Sequence, residues 1–354
     1  MDCILHVGIG KAGSSSIQGV LQAQRDALLK RGILYPRDLL PSGATGGDNN
    51  KCLAVSSINQ SRPNFVLQQH RVRNAGQRKT FDRKVMEVYS RQVAENGDAL
   101  CLLSAEHFWS CLPTEPEIAR LRTRMANIGL NPVRLIIYIR RQADWFESHQ
   151  HQRIREGQAL LPLTAEGLAS TPPALQVHYD RVIAKWEQGF AGTEVVPRLF
   201  ERSAMRDNDL MTDFCDAAGI EPIHAEVPEK NVSSVSNAGV NALLQLHGWL
   251  QARRGAGFEN AEWRRLTTHI TRIMPGRCAI LPDSELGQLD EIYADSNEAV
   301  RKRFFSDRPT LFSLRTDTAP KESFSRLDSP EFNELLEAVR TRWEEKEEAR
   351  RTAG

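Results

Sequence analysis

Three short stretches hold residues whose types and spacing could do chemistry. The first is Gly8-Ile9-Gly10-Lys11-Ala12-Gly13-Ser14-Ser15-Ser16, which follows the apolar run Ile4-Leu5-His6-Val7 and leads into a helical pattern from Ile17. A glycine-rich turn lets backbone approach an anion closely, and a helix N-terminus offers free N–H groups with partial positive charge. Lys11 adds a full charge and the serines add hydroxyl donors. The second is Arg134-Leu135-Ile136-Ile137-Tyr138-Ile139-Arg140-Arg141, a buried-strand pattern ending in two arginines, with Ser148 eight positions after Arg140. An arginine fork gives parallel charge-assisted bonds to phosphate oxygens. The third is Leu100-Cys101-Leu102-Leu103-Ser104-Ala105-Glu106-His107, a strand pattern ending in an acid and an imidazole, either of which can take a proton.

Read alone, the first loop admits several ligands. Gly8-x-Gly10-x-x-Gly13 matches the dinucleotide fingerprint, which requires a second strand ending in an acidic residue about 20 residues on. That region reads Gly32-Ile33-Leu34-Tyr35-Pro36-Arg37-Asp38, where Pro36 cuts a strand short. A Walker A loop places its lysine after the last glycine, whereas Lys11 precedes Gly13. No apolar strand ending in aspartate stands ready to hold magnesium. The second stretch also has a plainer reading, with Arg140 pairing Asp144 or Glu147 in a solvated helix start.

Lys11-Ala12-Gly13-Ser14-Ser15 resembles the 5′-phosphosulfate loop of sulfotransferases that use 3′-phosphoadenosine-5′-phosphosulfate (PAPS), typically Lys-[Ser/Thr]-Gly-[Ser/Thr]-[Ser/Thr]. Ala12 departs from that pattern and gives up one hydroxyl. Arg140 and Ser148 resemble the same family's 3′-phosphate site. Weaker similarity to bacterial members runs from Gln18 through Pro36, over Val195–Ile220, at Asn231-Val232-Ser233, and over Tyr293–Phe312. The resemblance implies a P-loop-like α/β fold with a central parallel sheet flanked by helices. It implies that Gly10, Lys11, Ala12, Gly13, Ser14, Ser15, Ser16, Arg140 and Ser148 hold PAPS and its product PAP, without metal. Lys11 would meet charge on the departing phosphate. Glu106 is the expected base, because carbohydrate-type members use a glutamate there; His107 is the alternative, as in small-molecule members. The expected acceptor is a carbohydrate or glycolipid hydroxyl. The competing reading is a nucleotide- or dinucleotide-binding protein without sulfotransfer activity.

Composition bounds the rest. The chain has 354 residues, 40% hydrophobic, which suits one large α/β domain, or one domain with an elaborated second lobe. A net charge of +1 provides no general attraction to nucleic acid or anionic membrane. Six cysteines without C-x-x-C spacing argue against a disulfide framework or a zinc site and fit a reducing cytosol, so a cytoplasmic location is expected. There is no signal-peptide pattern and no apolar run near 18 residues.

Strands are expected at Cys3–Val7, Ala99–Leu103, Val133–Ile139 and Glu194–Leu199. Helices are expected at Ser15–Arg31, Phe81–Asn96, Thr114–Asn127, Ala143–Gly157, Ala174–Gly189, Asp207–Ala218, Asn237–Arg253 and Glu285–Phe304. Residues 41–64 read as a long loop, and 62–84 are strongly basic, as a solvated face or as a grip on an acidic substrate. The expected domains are 1–312, a linker 313–329, and a charged C-terminal helix 330–354. That helix carries an apolar stripe of Phe332, Leu335, Leu336, Val339 and Trp343, suited to the protein body or to a homodimer. Phe108, Trp109 and Trp145 are read either as sugar-stacking surfaces or as core, and His149 and His151 as solvated or cleft-lining.

Overall fold

The computed structural model describes residues 1–40, 49–223, 235–254, 260–315 and 321–352. Five parallel strands form one sheet in the order β2-β3-β1-β4-β5: β1 (Asp2–Val7), β2 (Ile33–Leu34), β3 (Leu100–Ala105), β4 (Asn131–Ile139) and β5 (Glu194–Leu199). Residues from Cys3 to Val7 are all buried, as a central strand covered on both faces requires. After β1 the chain runs out to β2, returns through β3, and then crosses to β4 on the other side. Such a reversal opens a crevice at the carboxyl ends of the strands. The fold is thus α/β with a central parallel sheet, as expected.

The chain divides into two compact units, each discontinuous in sequence. The first comprises Met1–Arg141, Pro172–Pro228 and Tyr293–Ser313 and contains the five-stranded sheet. The second comprises Gln142–Thr171, Glu229–Ile292 and Leu314–Gly354. Its core joins Ile154, Leu246, Leu250, Trp263, Leu266 and Ile270 to Leu336, Val339 and Trp343. The division therefore runs along lines other than 1–312 plus an appended helix. The C-terminal helix, Pro330–Thr352, buries four residues of its stripe, Phe332, Leu336, Val339 and Trp343, inside its own unit; Leu335 stays exposed. Part of the expected linker is ordered too: β7 (Glu322–Ser323) pairs with β6 (Cys278–Ala279).

Several elements differ from their expected bounds for local reasons. The helix expected at Ser15–Arg31 divides into Ser14–Ala23 and Arg25–Lys30. The one expected at Glu285–Phe304 divides into Asp283–Ile292 and Ala294–Phe304. Pro172 and Pro173 turn the start of the expected Ala174–Gly189 helix into a separate 3-10 turn, Pro172–Gln176, before the helix Tyr179–Gly189. The helix Ala75–Glu95 begins earlier than expected, because Asn74 caps it by accepting from the Gln77 N–H at 2.9 Å. Within the expected loop 41–64, Lys51–Ser56 is helical, while 41–48 lie outside the described residues. Asn231-Val232-Ser233 lies outside them as well. Among the described residues no helix is long and apolar enough to cross a membrane.

Candidate active site

The loop after β1 is a tight turn followed at once by a helix. The Ala12 N–H donates to the Ile9 carbonyl at 3.2 Å, and Lys11, second of the two residues between them, has φ 67°. A side chain in that left-handed conformation costs on the order of 1–3 kcal/mol, a strain found mostly where function needs it. Gly13 follows with φ 80°. A Cβ there would lie 2.7 Å from both Leu210 and Phe200, so packing and backbone each demand glycine. The helix Ser14–Ala23 then starts without a side-chain cap; the Ser16 N–H donates to the Gly13 carbonyl at 3.0 Å, and the N–H groups of Ser14 and Ser15 precede the first intrahelical bond. Ser15 is exposed and Ser16 half-buried; Ser14 is buried. The Ala12 methyl is buried, so this position offers only backbone to a ligand.

Glu106 arrives at this loop from β3, next to β1 in the sheet. The Gly8 N–H donates to the Ala105 carbonyl at 3.2 Å, extending the ladder by one bond. A Cβ on Gly8 would sit 3.3 Å from the Glu106 backbone, so this glycine permits the close approach. The Glu106 carboxylate then lies 3.9 Å from where a Gly10 Cβ would be. The carboxylate thus stands directly beside the loop that carries Lys11.

Arg140 arrives from the other neighbour, β4. Its Nη1 donates to the Lys11 carbonyl at 2.8 Å, and its guanidinium lies 5.6 Å from the Phe200 ring centroid. Tyr179 fixes the backbone beneath it, donating its hydroxyl to the Arg140 carbonyl at 2.5 Å. Lys11, Glu106 and Arg140, from three different crossovers, therefore meet at the carboxyl ends of three adjacent strands.

Ser148 lies on the helix Gln142–Arg155, which belongs to the second unit. On that helix Glu147 accepts the N–H groups of Ile280 at 2.7 Å and Leu281 at 2.9 Å, and Asp144 pairs with Arg315 at 3.3 Å. His151 bonds the Cys278 carbonyl at 3.0 Å, and His149 stacks on Trp145. Phe108, Trp109 and Trp145 are buried, the core role of the two open to them.

His107 differs from Glu106 in its surroundings. Burial, reinforced by the nearby Lys51 ammonium, lowers its pKa to about 4. Its Nδ1 is enclosed without a hydrogen-bond partner. Such an imidazole is neutral at pH 7 but a poor proton acceptor.

A buried polar chain supports the strand end that presents Glu106. Asn50, with φ 54°, accepts the Ser104 N–H at 3.0 Å and donates to the Pro36 carbonyl at 3.0 Å and the Tyr89 hydroxyl at 3.1 Å. Tyr89 donates to Asp38 at 3.1 Å, whose other oxygen accepts the Cys52 N–H at 2.9 Å. On the far side the Ser104 hydroxyl meets His6 Nδ1 at 2.8 Å. Asn50, Tyr179, Phe200 and Lys51 were not singled out by the sequence, because their roles depend on partners far along the chain.

Burial lifts the Asp38 carboxyl to about 6, against the hydrogen bonds from Cys52, Leu39 and Tyr89 that pull it down. The folded protein therefore holds this proton more tightly than the unfolded chain. Asp38's contribution to stability is greatest below about pH 4, the unfolded pKa, and declines as pH rises to the folded value. Asp38→Asn removes that slope. Between pH 4 and 6.5 the stability difference should shift on the order of 2 kcal/mol in the variant's favour. Denaturant unfolding at both pH values measures it, and an unchanged difference would refute the assignment.

No family model matches the chain. An uncharacterised protein from Archaeoglobus fulgidus is 22% identical over 244 residues, covering 63% of this chain. The chain spans about 62% of that relative's length. Among solved structures, a sulfotransferase from Alicyclobacillus acidocaldarius superposes with a TM-score of 0.36 and 14% identity, covering 74% of this chain and 98% of its own.

Proposed function

We propose that this protein is a sulfotransferase that moves a sulfuryl group from PAPS to a hydroxyl, with a carbohydrate or glycolipid as acceptor. One observation carries the reading: the Lys11 loop and the Arg140 guanidinium, from the two segments that carry the sequence resemblance, and the Glu106 carboxylate, the base that resemblance implies, converge at the switch point of a parallel sheet. The donor set also fits a doubly phosphorylated nucleotide, with backbone N–H groups and an ammonium at the loop and a guanidinium beside it.

When bound, the donor supplies an activated sulfuryl group. Gly10, Gly13 and the N–H groups of Ser14 and Ser15 hold its 5′ end, joined by the Ser16 hydroxyl. Arg140 holds the 3′-phosphate. Glu106 takes the proton of the acceptor hydroxyl as that oxygen attacks. Lys11 meets the negative charge that builds on the departing phosphate oxygen, where preorganised charge acts most strongly.

The reading is tested by ligand discrimination. PAP is expected to bind at least tenfold more tightly than AMP, since a charge-assisted hydrogen bond is worth about 1.5–3 kcal/mol and AMP lacks the phosphate that Arg140 serves. Calorimetric titration with PAP, AMP, ATP and NAD measures it. Equal affinity for PAP and AMP, or preference for NAD, would transfer the loop to the nucleotide- or dinucleotide-binding reading.

A further inference from the structure

The basic stretch 62–84 has no part in the reading above, yet it builds a cavity. Arg62, Asn64, Leu67, Arg73, Asn74 and Arg78 help line a space of about 320 Å³. Two carboxylates serve its arginines. Glu117 pairs with Arg62 at 2.7 Å, and Asp82 is shared between Arg78 and Arg124, at 2.9 Å to each. Positive charge is therefore in excess, and exposed Arg73 forms no ion pair among the described residues.

Arg78 is only 4% exposed. Its Nε bonds Asp82, its Nη2 donates to the carbonyls of Val55 and Ser56, and its buried Nη1 has no partner. A buried guanidinium with an unused donor is costly unless a ligand or water completes it. Asn74 and Ala75 add the N-terminal end of a 21-residue helix, where partial positive charge collects. The cavity wall is also tied to the helix that Glu106 begins. Arg62 donates to the carbonyl of Cys111, the last residue of the six-residue helix that Glu106 begins, a length of about 9 Å.

We propose that this cavity binds an oxyanion carried by the acceptor, a carboxylate or sulfate ester on an acidic saccharide. That the anion belongs to the acceptor rests on the reading above; that the cavity binds an oxyanion does not. The test is calorimetric titration with glucuronate, inorganic sulfate and uncharged glucose. It is run on the full chain carrying Lys11→Ala, which weakens anion binding at the loop, with and without Arg73→Glu. Arg73 is exposed, and an unchanged melting temperature verifies the fold; Arg73→Gln provides a milder second variant.

Glucuronate is expected to bind more tightly than glucose and to lose at least tenfold affinity on Arg73→Glu, with Arg73→Gln intermediate. Sulfate losing affinity in parallel would identify the oxyanion itself as the recognised group; sulfate failing to bind while glucuronate does would identify the acidic sugar. Glucuronate affinity unchanged by Arg73→Glu, or no tighter than that of glucose, would overturn the proposal. PAP binding to the unmodified protein, measured separately, keeps this failure distinct from failure of the sulfotransferase reading.

Discussion

Glu106→Gln is expected to lower turnover by roughly 10²–10⁴, the usual contribution of a positioned general base, while PAP affinity stays nearly unchanged. The substitution preserves shape and hydrogen bonding and removes only the ability to accept a proton. The carboxylate stands against Gly10, on the loop that carries Lys11. His107→Ala should be milder, because burial and Lys51 leave that imidazole with a pKa of about 4. Single-turnover rates with a proven acceptor, alongside PAP titrations, decide between them. Near-normal activity in Glu106→Gln with a dead His107→Ala would pass the role to His107 and favour a small-molecule acceptor. Indifference to both changes would remove this helix start from the chemistry.

Lys11→Ala and Arg140→Ala are expected to fail in different ways. Lys11 faces charge that grows in the transition state, so its loss should depress turnover by about 10²–10³ with a smaller effect on donor binding. Arg140 grips a phosphate that does not react, so its loss should chiefly weaken donor affinity. Arg140 has a second attachment, the 2.8 Å bond from its Nη1 to the Lys11 carbonyl. Some loss of turnover in Arg140→Ala would thus follow from a loosened loop. Donor affinities and single-turnover rates on both variants separate the two effects, and the reverse pattern would refute the roles assigned.

By itself the sequence determined the features that depend on neighbours in the chain. An apolar run, a glycine turn and a helical pattern within about twenty residues specify strand, loop and helix; β1 lies where expected and the helix after it starts within one residue of its expected start, though it ends at Ala23. The same holds for β4 ending just before Arg140, and for an acid just beyond β3. Element ends were less legible where caps and prolines compete, as at Asn74 and Pro172.

Only the tertiary structure decided which strand lies beside which. Parallel strands joined by long crossovers carry no local mark of their neighbours, so the placement of β1 between β3 and β4 had to be seen. That order brings the Glu106 carboxylate against Gly10 and Arg140 against Lys11. It also turned a basic run that read equally well as a solvated face into the lining of a cavity with Arg78 buried in its wall. The C-terminal stripe was legible as amphipathic, but its partners, Leu246, Trp263 and Leu266, are chosen by packing between distant segments, which periodicity does not encode.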